Sequence, residues 1–195
     1  MDFETFLEKE IRKEISSWQR EDIYAISFFV SYNEENSYRG INRFPEFSVG
    51  YNTEEFCEDA GALSEERWNY ACWEQNNTEI LSSEKQEAAD LFLEWCKSEK
   101  IGNVGAPEKE SEMYDENFNY IGKGPGGFFE FVGLISKIAR RLQTDGFIKE
   151  KFGNIPVIIH DSEYTWYTVE ATEKANPEGE AETFLKAVAN NFEEG

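Results

Sequence analysis

The stretch "DIYAISFFVSYNEENSYRGINRFPEFSVGYN", Asp22 to Asn52, decides the fold. Its first third alternates Tyr24, Ile26, Phe28, Val30 and Tyr32 with Ile23, Ala25, Ser27, Phe29 and Ser31. Both sets are largely apolar, and a strand that is apolar on both sides belongs in the middle of a sheet whose two faces are covered. "NEENSYRGINR" is polar and turn-prone, so "PEFSVGYN" returns as a second strand antiparallel to the first.

Amphipathic helices flank this pair. Phe3, Phe6, Leu7, Ile11, Ile15 and Trp18 form one apolar stripe at helical spacing. Downstream, Thr53 is placed to cap a short helix whose first turn carries Glu54 and Glu55, the charge that a helix N-terminus favours. "RWNYACWEQ" reads as a further strand, with Trp68, Tyr70 and Cys72 on one side. Ser83-x-x-Gln86 is a capping box for a helix that buries Ala88, Leu91, Phe92, Trp95 and Cys96 and ends near Lys100. From Ile101 to Gly127 no period is visible, which predicts a long surface excursion with a brief strand around Met113 to Phe118. Phe128, Phe131, Val132, Ile135, Ala139 and Leu142 mark another helix, stopped by Gly146. "IPVIIHD" is a short buried strand, and one or two helices follow, broken at Asn176-Pro177. This order predicts an α+β fold: a mainly antiparallel central sheet flanked by amphipathic helices, one domain over residues 1–195.

Composition narrows the partners. Forty acidic residues against 19 basic give a net charge of −21, while 16 Phe, 9 Tyr and 5 Trp supply a core. Such a field repels nucleic-acid phosphates and anionic membranes and speeds encounter with basic proteins. "MDFETFLEKEIRKEI" lacks the basic and apolar regions of a signal peptide, and no apolar run approaches the roughly 18 residues of a membrane span. The expectation is a cytoplasmic protein with no membrane or nucleic-acid partner. Cys57, Cys72 and Cys96 are odd in number and share no CxxC spacing, so neither a disulfide framework nor a zinc knuckle is predicted.

His160 is the only histidine. With Asp161 and Glu163 it offers ligand or acid/base chemistry, but neighbouring strand residues face opposite ways and a closed metal site needs three or four convergent ligands. A structural role at the end of a buried strand is the expectation; no catalytic residue, metal or cofactor is predicted. "GKGPGG", Gly122 to Gly127, precedes a helix, where backbone amides can cradle an anion. It lacks the Walker spacing, and the overall charge opposes phosphate. The alternative is a tight lead into the Phe128 helix.

Acid clustering is the remaining signal. Glu54, Glu55, Glu58, Asp59, Glu65 and Glu66 occur with no basic residue among them, and Glu108, Glu110, Glu112, Asp115 and Glu116 face only Lys109. Three segments, "YNTEEF" at 51–56, "ERWNYACWEQNNTEIL" at 66–81 and "ARRLQTDGFIKEKFGNIPVIIHDSEY" at 139–164, resemble an uncharacterised bacterial domain family. Some of its members are similar to immunity proteins of polymorphic or contact-dependent toxin systems. The resemblance runs from about Ile23 to Pro177 and rests on Tyr51, Asn52, Thr53, Glu54, Trp68, Trp73, Gly146, Phe152, Gly153, His160 and Glu163. It implies an immunity protein that blocks a basic toxin domain, expected to be a nuclease, by one-to-one binding through the two acidic stretches. A carboxylate and His160 metal-assisted hydrolase is one alternative, and an acidic nucleic-acid-mimic adaptor is another.

Overall fold

The computed structural model describes residues 1–193. Helix α1 (Phe3–Ser17) leads into β1 (Ile23–Tyr32), and a small hairpin of β2 (Ser37–Tyr38) and β3 (Ile41–Asn42) carries the chain into β4 (Pro45–Thr53). An irregular strap, residues 54–73, contains α2 (Glu65–Trp68) and a 3-10 turn (Tyr70–Cys72); then come β5 (Thr78–Leu81) and α3 (Gln86–Ser98). The excursion holds a second 3-10 turn at Glu110–Glu112 and precedes α4 (Phe128–Thr144), α5 (Phe147–Phe152), β6 (Val157–His160), α6 (Trp166–Ala175) and α7 (Glu182–Glu193).

The main sheet runs β5-β4-β1-β6, so β1 is interior, as its two apolar faces predict. It pairs antiparallel with β4, from Ile23 opposite Thr53 to Tyr32 opposite Pro45. Strands β4 and β5 are also antiparallel. Strand β6, however, lies parallel to β1, with Ile26 opposite Val157 and Phe29 opposite His160. The fold is α+β, and the sheet is mixed: two of its three pairings are antiparallel, as expected, and the third is parallel. A hairpin-linked strand returns antiparallel by necessity, whereas a strand reached through helices can run either way. Nothing in "IPVIIHD" encodes the direction.

One face of the sheet, carrying Ile26, Phe28, Val30, Phe47, Val49, Val157 and Ile159, buries against α1, α3 and α4. The other carries Ala25 and Ile158 and is covered by Cys57, Trp68 and Trp73 of the strap and by Phe184, Ala187 and Val188 of α7. A bulge between Ile23 and Ala25 inserts one residue into β1 and breaks the simple alternation. Ile23 joins the first core and Tyr24 the second, so Tyr24 does not share a face with Ile26.

Four local expectations fail. Residues 67–75 form the end of α2, a 3-10 turn and irregular chain, not a strand. Asn69 accepts from the Ala71 amide through its side chain, and the indoles of Trp68 and Trp73 donate to Ala62 O (2.8 Å) and Arg67 O (2.9 Å), which folds the chain back on itself. The strand is β5, a few residues later. Nor does Ser83 cap α3: Ser82 Oγ accepts from Glu84 N (3.2 Å), and the helix starts after Lys85 without a side-chain cap. Thr53 does accept from Phe56 N (3.2 Å), but the segment beyond it is a turn and not a helix. The strand expected near Met113 reduces to one bridge, Tyr114 to Tyr120.

Exposed strand edges invite mispairing, and asparagine side chains close both flanks of this sheet. Beyond the end of β5, Asn76 accepts from Tyr51 N (3.1 Å) and donates to Tyr51 O (3.0 Å), as a neighbouring strand would. On the far side, Asn176 accepts from Val157 N (2.8 Å) and donates to Val157 O (2.7 Å), while Thr172 Oγ1 accepts from Ile159 N (2.9 Å). Asn176 also accepts from Gln143 Nε2 (3.0 Å) and donates to Thr172 O (2.7 Å), so one carboxamide joins β6 to α4 and α6. Asn176→Ala strands several buried polar groups at once and is expected to cost about 3 kcal/mol of unfolding free energy, read by urea denaturation. A loss below about 0.5 kcal/mol would mean that the edge is held elsewhere.

Candidate functional site

The strap is positioned by the sheet's second face. Helix α2 has only four residues, so its C-terminal carbonyls have no intrahelical partner. Tyr24 OH donates to Arg67 O (2.5 Å), as does Trp73 Nε1. His160 Nε2 lies 3.1 Å from Trp68 O. Because a carbonyl only accepts, Nε2 carries the proton, and Nδ1 accepts from Ser27 Oγ at 2.9 Å. Arg67 lies over the Tyr24 ring at 3.9 Å and grips Glu54 with both terminal nitrogens (2.9 and 2.5 Å). Asn52 donates to Tyr24 OH (3.0 Å) and Cys57 Sγ (3.1 Å).

His160 is thus fully buried, ringed by Trp73, Tyr70 and Phe184. Its Ser27 partner is equally buried, and Asp161 turns instead toward Tyr167 (3.4 Å). His160 ends β6 and bonds to the strap at Trp68 O and to β1 at Ser27, while the next helix begins only at Trp166. Among the described residues, no three His, Cys, Asp or Glu side chains are grouped to hold a metal ion. In the Gly122–Gly127 loop, Gly126 exchanges backbone bonds with Gly105 and Ala106 (2.8 and 2.9 Å). A Cβ on Gly126 would lie 2.1 Å from Asn103 O, and Gly127 adopts φ +86° just before α4. This loop serves the tight turn into the helix. Among the described residues, no helix is long and apolar enough to cross a membrane.

The predicted acids divide into those held by a cation or backbone group of the fold and those without a basic partner, of which Glu65 accepts from Asn69 Nδ2 (2.7 Å). On the strap, Glu54 is held by Arg67, and Glu55 by Arg20 (2.6 Å), which also grips Asp22. Glu58, Asp59, Glu65 and Glu66 are exposed. No basic side chain among the described residues pairs with them. They share the strap with two exposed apolar side chains, Phe56 and Leu63. In the excursion, Glu108 accepts from Tyr120 OH (2.7 Å) and Lys123 N (2.6 Å), Glu112 pairs with Lys109 (2.8 Å), and Asp115 holds its own turn. Glu110 and Glu116 are exposed. Glu163 is exposed and apart from the imidazole network.

An open groove of about 700 Å³ runs beside the strap, lined by Glu21, Asp22, Tyr24, Glu54, Trp68 and Glu180 among others. Glu180 Oε2 is buried there without a hydrogen-bond partner, and burial raises that carboxyl's pKa. The sequence pointed to neither Glu180 nor the exposed aromatics Phe56 and Phe118; Phe56 only closes the quoted segment 51–56, and neither aromatic carries a helical or strand period. The one signal available was an aromatic residue embedded in Asp, Glu and Asn.

Comparison with known proteins brings no match: no family model, no curated protein and no solved structure matches this chain. The likeness to immunity proteins gains no support from these comparisons and rests on the three quoted segments.

Burial pushes the His160 pKa from its ordinary 6.5 down to about 4, opposed only in part by the bond to Trp68 O. The unfolded chain therefore takes up a proton before the folded chain does. The stability contributed by neutral His160 is complete above pH 6.5 and is lost as pH falls toward 4, on the order of 3 kcal/mol in all. Asp161, whose carboxyl burial pushes up, has the opposite sign, so the informative quantity is the difference between wild type and His160→Gln. Equilibrium unfolding at a series of pH values should give a shallower acid slope in the variant; identical slopes would place the imidazole in water.

Proposed function

We propose that this chain is a stoichiometric binding protein that captures and occludes a basic protein partner, and that the partner is a bacterial toxin domain, as the quoted segments imply. The observation that carries the reading is the strap. Four exposed carboxylates, Glu58, Asp59, Glu65 and Glu66, lie on a segment riveted to the sheet, with Phe56 and Leu63 beside them. The arginines nearest to them are already engaged by Glu54, Glu55 and Asp22. An anionic surface with apolar contacts and no counter-charge of its own is complementary to a cationic cleft, such as that of a nuclease. Opposite charge speeds the encounter that such a blocker must win.

The groove beside the strap adds to this reading. Glu21, Asp22, Glu54 and Glu180 line it against one cation, Arg67, so the groove is acidic in balance. A hydrolytic reading finds less support, since Ser27 and His160 satisfy each other and Trp68 O in a buried position.

The test is stopped-flow association and titration calorimetry with the C-terminal domain of the protein encoded by the adjacent gene. A one-to-one complex is expected, forming more slowly as salt rises. Replacing Glu58, Asp59, Glu65 and Glu66 together by Lys should slow association about 10- to 100-fold and change dissociation much less. Absence of any complex, or association indifferent to salt and to these four changes, would refute the reading.

A further inference from the structure

We propose that the loop at residues 113–121 is the docking anchor. In this arrangement Phe118 enters an apolar pocket of the basic partner while Glu110, Glu112 and Glu116 meet lysines and arginines around that pocket. The inference rests on the basic-partner reading above and names the surface that meets it.

Phe118 is 87% exposed, and Tyr114, Ile121 and Trp166 are 51%, 49% and 37% exposed. A lone exposed aromatic is ordinary; several on one element mark a binding surface. Three of these four belong to the loop. The fourth, Trp166, is tied to its base by Nε1 donating to Gly122 O (2.8 Å).

The loop is built to hold its shape. Met113 O accepts from both Ile121 N (2.8 Å) and Gly122 N (3.2 Å), and Asp115 N donates to Asn119 O (3.0 Å). The Asp115 carboxylate accepts from Asn117 N (2.8 Å), Asn119 N (2.9 Å) and Asn119 Nδ2 (3.0 Å). Glu108 clamps the base through Tyr120 OH and Lys123 N. Phe118 itself sits at φ +63°, a left-handed conformation in which a bulky side chain is disfavoured and glycine or asparagine is at ease. Solvent exposure and backbone both make Phe a poor choice for the fold at this position. A side chain so placed, on a turn already ordered, loses little freedom when it binds.

Charge selects the occupant. The loop and the 3-10 turn before it carry four acids, Glu110, Glu112, Asp115 and Glu116, against Lys109, which pairs with Glu112, within a chain of net charge −21. A second copy of the chain, a nucleic acid and an anionic lipid surface are all repelled. A cationic protein surface with a central apolar pocket is complementary to both features.

The experiment pans the immobilised full chain, in parallel with its Phe118→Ser variant, against short random peptides displayed on phage. Peptides with Lys or Arg flanking an apolar residue should be enriched on the wild type, bind more weakly as salt rises, and lose about tenfold or more in affinity on Phe118→Ser. Phe118→Gly should lose the same binding with an unchanged or raised Tm, which separates recognition from folding. Several outcomes would overturn the anchor. Enriched basic peptides that bind Phe118→Ser as well as wild type, but fail on the Glu58→Lys, Glu65→Lys chain, would move the contact to the strap and leave the basic-partner reading standing. Failure to enrich any basic sequence would reject both. Co-sedimentation with phosphatidylcholine vesicles, or self-association by ultracentrifugation, abolished by Phe118→Ser would assign the loop to lipid or to a second copy.

Discussion

Two consecutive carbonyl groups, Arg67 O and Trp68 O, hold the second face of the sheet together. They are free because α2 ends after one turn, and a helix that short cannot satisfy its own C-terminal acceptors. Tyr24 and Trp73 take the first and His160 takes the second, so three donors from two strands and the strap itself converge on one point. Each donor is buried, where an unmatched polar group costs far more than a matched one contributes. The strap therefore has little freedom to slide over the sheet, and the carboxylates it carries are presented in a fixed pattern. The bulge in β1 belongs to the same device, because without the extra residue Tyr24 would point into the other core.

The sheet's edges obey a related constraint. A four-stranded sheet leaves backbone donors and acceptors along its flanks, and here carboxamides answer them in place of further strands. Asn76 pairs both groups of Tyr51, and Asn176 pairs both groups of Val157. Thr172 in the last turns of α6 and Asn176 at its C-cap stand four residues apart, which lets the end of one helix cover the outer edge of β6. This explains how a short parallel strand, reached only through helices, is fixed in place without a fifth strand beside it. The break at Asn176-Pro177 ends a helix and also puts an asparagine at the point where the strand edge needs one.

Periodicity made much of this legible in the sequence. The stripes beginning at Phe3 and Phe128, and the doubly apolar Ile23–Tyr32 segment, correspond to α1, α4 and interior β1 because each signal repeats over several turns or residues. Shorter or non-local determinants were not legible. Trp68, Tyr70 and Cys72 alternate as in a strand, yet the partners that bend this segment, Ala62 O, Arg67 O and His160, are distributed along the chain. The direction of β6 is set by the path through α4 and α5, not by any residue in it. For the site, the acid runs could be read as charge but not as pairing. Which acids remain unengaged depends on where each arginine lands.

The arginines show how a surplus of negative charge becomes a pattern. Every arginine donates to a group of its own chain. Arg12 and Arg141 lace Glu4, Glu8 and Asp145 across α1 and α4, Arg39 and Arg43 take Asp90 and Glu34, and Arg20 and Arg67 bind the start of the strap. Arg140 donates to Asn176 O at the edge of β6. These positions are junctions between elements, where a planar, multiply donating cation is most useful. The cost is that cations are concentrated where the fold is joined, and among the described residues no arginine pairs with Glu58, Asp59, Glu65, Glu66 or an acid of the 113–121 loop. These acids stay without arginine partners because the chain's guanidinium groups are occupied in assembling it. Like charges left adjacent repel, which weakens the compact state, and a cationic partner relieves that repulsion at the same moment that it buries Phe56 or Phe118.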